Sequence, residues 1–120
     1  MKPANKASFQ RVINATQYSL KGLKSAYINE AAFRQEIWLS CILIPLGFFL
    51  GQTPVEKILL VGSILLILIT ELLNSAIESV VDRIGSEFHE LSGRAKDIAS
   101  AAVFMSMILA GMTWFMIYFF

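Results

Sequence analysis

Thr70-Glu71-Leu72-Leu73-Asn74-Ser75-Ala76-Ile77-Glu78-Ser79-Val80-Val81-Asp82 is the stretch whose reading decides the fold. It follows without a break from the apolar run at residues 58–69. At helical spacing Glu71, Asn74, Glu78 and Asp82 fall within about 80° of one face, with Ser75 at its edge. Ionisable groups are costly where a helix leaves hydrocarbon, and a series of them there marks a site.

The rest of the chain gives this stretch its depth. Residues 37–55 carry no charge and are just long enough to cross a bilayer, which takes about 20 residues. Pro45 and Gly47 fall inside that run, and membrane helices tolerate such kinks. Gly51-Gln52-Thr53-Pro54 reads as a turn. A second span opens at Pro54 or Val55, passes Glu71 and stops at Gly85-Ser86. Residues 98–120 are free of charge and end in Trp114, Phe115, Tyr118, Phe119 and Phe120, a cluster suited to a membrane interface. Before the first span, Phe9, Val12, Ile13, Thr16, Leu20, Leu23 and Tyr27 share one helical face, with Lys21 and Lys24 elsewhere. That pattern predicts an amphipathic helix lying in the interface. The expected architecture is all-α within one domain, 1–120: a surface helix at about 8–30 and spans at about 35–51, 55–84 and 93–120.

Bulk composition agrees. The 120 residues are 56% hydrophobic, with mean hydropathy +0.62. A formal net charge of +1 gives no electrostatic reason to expect nucleic acid. The single cysteine, Cys41, cannot form a disulfide within the chain and reads as a small hydrophobe. The N-terminal stretch has neither the apolar core nor the small-residue site of a signal peptide. Lys2, Lys6, Arg11, Lys21, Lys24 and Arg34 precede the first span, Arg83, Arg94 and Lys96 lie in the second connection, and only Lys57 lies near the first. The positive-inside rule puts the N-terminus and second connection in the cytoplasm and the C-terminus on the opposite side.

If the second span enters near Val55, Glu71 lies about 24 Å along it, just inside the cytoplasmic edge of a hydrocarbon core about 30 Å thick. Glu78 and Asp82 lie at or beyond that edge, level with residues 11–36 and 83–97. Carboxylates with an amide, near Lys and Arg, suit Mg²⁺ and phosphate. Glu71, the deepest, is the best candidate for a general base; Glu30 and Glu78 can share a metal, and Lys96-Asp97 can hold a nucleotide. Plainer readings stand beside these. Glu30 and Arg34 are spaced as a surface ion pair, Glu71 can serve helix assembly, and His89, Glu87, Glu90 and Asp97 can be solvated loop groups. No P-loop or kinase glycine-rich loop is present, so mechanics alone specify a site better than a reaction. A transporter would hold its charge nearer mid-bilayer, and an assembly subunit would leave the Glu30, Glu78, Lys96 and Asp97 layer without a role.

Three stretches in combination carry a resemblance: residues 28–36 (INEAAFRQE), 71–78 (ELLNSAIE) and 80–97 (VVDRIGSEFHELSGRAKD). Together they resemble the bacterial integral-membrane diacylglycerol kinase family, over nearly the whole chain, and its Gram-negative branch more than its undecaprenol kinases. The resemblance implies ATP-dependent, Mg²⁺-dependent phosphorylation of diacylglycerol to phosphatidate at the inner membrane, by a homotrimer whose sites are shared between neighbouring chains; a kinase of another lipid alcohol such as undecaprenol is the alternative. It implies Glu71 as catalytic base with Asn74 beside it, and Glu30 and Glu78 as metal ligands. It places Arg11, Tyr18, Glu30, Glu78, Glu87, Phe88, His89, Lys96 and Asp97 around the nucleotide. Around the lipid it places Arg11 and Glu71; the segment Ala15, Thr16, Gln17, Tyr18, Ser19 and Leu20; Lys24, Ser25, Ala26 and Tyr27; Ala32, Phe33, Arg34, Gln35 and Glu36; and Ser100. Phe88 stands where the family often has Tyr, so no hydroxyl bond to nucleotide is expected from it. Leu20 and Tyr27 stand where Trp is frequent.

Overall fold

The computed structural model describes residues 7–85 and 89–120, and these form four helices: α1 (Phe9–Asn29), α2 (Ala31–Leu50), α3 (Pro54–Ile84) and α4 (Glu90–Phe119). The all-α expectation holds, with α2, α3 and α4 each long and apolar enough to cross a membrane. Two helices begin earlier than their apolar runs do. α2 starts at Ala31 and α4 at Glu90, the latter with a polar first turn. At α4 the imidazole Nδ1 of the exposed His89 accepts from the Leu91 N–H (3.1 Å) and so caps the helix.

Local chemistry sets each end. Ser8 caps α1, its Oγ accepting from the Arg11 N–H at 3.2 Å. Thr53 caps α3 by accepting from the Glu56 N–H at 3.2 Å, and Pro54 follows at the first helical position, where a missing N–H costs nothing. Glu56 Oε1 takes the Gln52 N–H at 3.1 Å, and the Lys57 ammonium donates to the Phe48 carbonyl at the end of α2. Gly51 is required by this close approach. A Cβ there would lie 2.8 Å from the Lys57 backbone nitrogen.

Between α1 and α2 the chain turns at Glu30, which is extended. The turn is fixed from α2. Arg34 Nη1 donates to the carbonyls of Tyr27 (2.7 Å) and Ile28 (3.2 Å), filling acceptors that the end of α1 leaves open. Trp38 Nε1 donates to the Tyr27 hydroxyl at 2.9 Å. The Arg34 side chain is therefore an α1 cap rather than the surface partner of Glu30 that the i,i+4 spacing permitted.

α3 packs chiefly on α4 and α2, and α1 touches α2 and α3 more sparingly. The α3–α4 seam buries small and β-branched residues, among them Val61, Ser63, Ala99, Val103, Ser106 and Ala110. Small side chains let two backbones approach, which is how helices associate where water does not drive them. Polar bonds fix the register: Thr70 and Ser106 hydroxyls meet at 2.9 Å, and Trp114 Nε1 donates to the Leu60 carbonyl (3.2 Å) and Ser63 Oγ (3.1 Å). Large apolar side chains such as Ile58, Phe104 and Met105 point outward, as lipid-facing residues must.

Gly47 lets α2 reach this seam. A Cβ there would lie 3.2 Å from Leu60 Cβ, 3.3 Å from Val61 Cγ2 and 3.5 Å from Trp114 Cζ2. Gly47→Val is expected to destabilise the detergent-solubilised protein by about 1–3 kcal/mol, the usual range for overpacking. Thermal unfolding followed by size-exclusion fluorescence checks this, and an unchanged midpoint would mean that α2 shifts without loss.

Candidate active site

The predicted stripe exists, and its order is by depth. Glu71 is 6% exposed on α3, although its carboxylate is among the most hydrophilic groups in the chain. One turn on, Asn74 Nδ2 donates to Glu71 Oε1 (3.4 Å) and, more tightly, to Glu78 Oε1 (3.0 Å). The amide is a strut between the two carboxylates, holding one oxygen of each, while its own Oδ1 is buried with no partner. Glu36 of α2 brings a third carboxyl against Glu71, and Glu36 Oε2 is also buried and unpartnered. Unsatisfied buried polar atoms are rare in native structures and require an explanation. Here two of them flank the same carboxylate.

Glu30 stands at the α1–α2 turn, half-buried, its side chain free of any capping bond. Lys96 of α4 pairs with Asp82 Oδ1 at 2.6 Å and lies within electrostatic reach of Glu78. Its neighbour Asp97 and, one turn on, Ser100 are exposed on α4. Among the described residues no three carboxylate, His or Cys side chains converge as a ready metal cage. That donor set still fits Mg²⁺, which takes one or two carboxylates and completes its shell with water and phosphate oxygens. The free carboxylate of Glu30 and the second oxygen of Glu78 have that chemistry.

The remaining predicted residues divide by helix. Ala15, Thr16, Gln17, Tyr18, Ser19, Leu20, Lys24, Ser25 and Tyr27 are exposed along α1, with Thr16 and Ser19 hydroxyls donating back to the carbonyls of Val12 and Ala15. Ala26 and Phe33 are buried, Phe33 to 1% exposure. Ala32 and Gln35 are exposed on the first turns of α2. Arg11 is in the first turn of α1, about 28 Å by helix rise from Glu30. Glu87 and Phe88 lie outside the described residues. Sequence reasoning did not anticipate the approach of Glu36 to Glu71 or the pairing of Lys96 with Asp82. Each joins two helices, and no spacing within one helix signals such a contact.

Three membrane-length helices with a carboxylate–amide site at one end of the longest define a small polytopic membrane protein. Comparison with known proteins resolves the class further. The family model for prokaryotic diacylglycerol kinase matches residues 17–118. The diacylglycerol kinase of Haemophilus influenzae is 62% identical over 109 residues, 91% of this chain and 92% of that protein. Those of Escherichia coli K12 and Pseudomonas aeruginosa are 53% and 49% identical, over 92% and 88% of this chain and 90% and 85% of theirs. The chain belongs to the prokaryotic diacylglycerol kinase family, as its motifs implied.

The Lys96–Asp82 pair is solvent-accessible on both sides, and exposed pairs contribute little to stability. Asp82→Asn is expected to leave the melting temperature in detergent unchanged. A clear fall would make the pair a structural clamp between α3 and α4.

Proposed function

We propose that this chain transfers the γ-phosphate of ATP to the free hydroxyl of diacylglycerol, giving phosphatidate and ADP, at the cytoplasmic face of the inner membrane. The observation that carries the reading is the hydrogen-bonded series Glu71–Asn74–Glu78 at the end of a membrane helix, with Glu71 buried and Glu78 further out. A lipid hydroxyl arrives from the bilayer side and a nucleotide from water, and this series lies along the line between them. Family membership supports the substrate pair, since the relatives are named for diacylglycerol.

Glu71 takes the proton of the lipid hydroxyl as its oxygen bonds to the γ-phosphorus. The bond from that phosphorus to the bridging oxygen of ADP breaks, and ADP leaves with the electron pair. Asn74 holds one Glu71 oxygen and Glu36 packs against the same carboxylate, so orientation is set before substrate arrives. Glu30 and Glu78 would hold Mg²⁺, which neutralises phosphate charge when bound. Lys96, with Asp97, faces the nucleotide. Positioning and charge neutralisation replace a nucleotide-binding domain.

Three outcomes test this. ADP release by the purified protein in detergent should require diacylglycerol and a divalent cation together, and full activity in excess chelator would remove the metal from the scheme. Glu71→Gln should lower turnover roughly 10²–10⁴-fold, the range for a lost general base, with assembly intact by size exclusion; a loss under about tenfold would assign Glu71 to packing.

The third concerns assembly. Within one chain Lys96 meets α3 at Asp82, about 16 Å by helix rise beyond Glu71, and three thin helices with one surface arm do not enclose both ATP and a lipid headgroup. The reading therefore includes a homotrimer in which base and nucleotide wall come from neighbouring chains. Mixing inactive Glu71→Gln chains with inactive Lys96→Leu chains should restore partial activity. Mixed oligomers that form, by pull-down on one tag, yet stay inactive would put both residues to work within one chain.

A further inference from the structure

Beside the carboxylate series, α1 and α3 enclose a cleft of about 620 Å³, within the range of small-molecule sites. Ser19, Gly22, Asn29 and Glu30 line it from the α1 side, and Ser75 and Ser79 from α3. Its lining serines differ in one respect. Ser19 donates to the Ala15 carbonyl and Ser79 to the Ser75 carbonyl, both at 2.9 Å, and Ser25 accepts from Asn29 Nδ2 at 3.3 Å. Ser75 is 6% exposed, and its Oγ has no partner among the described residues. A serine in a helix readily bonds its own preceding turn, as Ser19 and Ser79 do here. Ser75 does not, and a buried polar atom without a partner calls for a ligand.

Resting on the kinase reading above, we infer that Ser75 is a lipid-binding, specificity-determining residue, its hydroxyl bonding an oxygen at the headgroup end of the acceptor alcohol held in the α1–α3 cleft. Ser75 follows Glu71 by one turn on the same side of α3, about 6 Å along the axis. A hydroxyl both donates and accepts, and a staggered change in χ1 is all it needs to turn toward a new partner. Apolar Leu23 and Leu72 in the same lining suit the start of the acyl chains. Gly22 marks the space the lipid takes, because a Cβ built there meets nothing within 4 Å.

Two variants test the assignment from opposite sides, with initial rates in mixed micelles against diacylglycerol and against MgATP. Ser75→Ala removes the hydroxyl. Gly22→Leu adds bulk to the cleft lining at a position where a Cβ meets nothing within 4 Å, and it replaces glycine by a better helix former, so a loss is not ascribed to a weakened α1. Both should raise the apparent KM for diacylglycerol at least fivefold and leave the KM for MgATP within twofold. If the wild type is active and both variants keep its lipid KM, or if the MgATP KM moves instead, the inference is overturned while the kinase reading stands. A wild type that transfers no phosphate overturns the kinase reading itself, and this inference with it.

Discussion

A helix of 31 residues is about 46 Å long, and the hydrocarbon it crosses is about 30 Å thick. That mismatch governs the molecule. The first part of α3 must be apolar, and the last part must leave the membrane carrying whatever chemistry it holds. An ordinary tilt of about 20° does not absorb the excess. The carboxylates are thus deployed by depth along one rigid rod. Precision at such a site comes from the helix and from the helices that fix its rotation. The Thr70–Ser106 bond does this one residue before Glu71, and the Trp114 bonds do it near the opposite end.

Asn74 shows why the stripe carries an amide as well as acids. A carboxylate in that place would repel both neighbours, and an apolar residue would leave them without a donor. The amide donates to both, so two negative groups share a face at fixed spacing. Its unpartnered Oδ1 is the counterpart of this arrangement, since one end of the group is committed and the other is not. The same asymmetry recurs at Glu36 and Ser75, so this part of the protein is less satisfied internally than the seam between α3 and α4.

The helices and their membrane character were legible because they depend on runs and periods: the uncharged stretch at 37–55, the 3.6-residue spacing of Glu71, Asn74 and Glu78, and the Thr53-Pro54 start. Contacts between helices were not. Arg34 looked like a partner for Glu30 one turn away, but the open carbonyls at the end of α1 are stronger claimants once the chain turns at Glu30. Glu36 read as one of five successive residues, Ala32 to Glu36, on the first turns of α2, and only the packing of α2 on α3 makes it a neighbour of Glu71. The α1–α3 cleft had no signal at all, because Gly22 and Ser75 lie 53 positions apart and neither is unusual alone.

Charge gives the last constraint. Glu36 and Glu71 face one another, while Arg34 bonds main-chain carbonyls and Lys96 pairs with Asp82 within electrostatic reach of Glu78. The Glu36–Glu71 contact is a side-chain hydrogen bond, which two fully ionised carboxylates cannot make, so the charge to be offset when an anionic triphosphate enters is chiefly that of Glu78 and of the triphosphate itself. On the proposed reading, a divalent cation attracted by both sets of oxygens offsets that charge as the nucleotide enters.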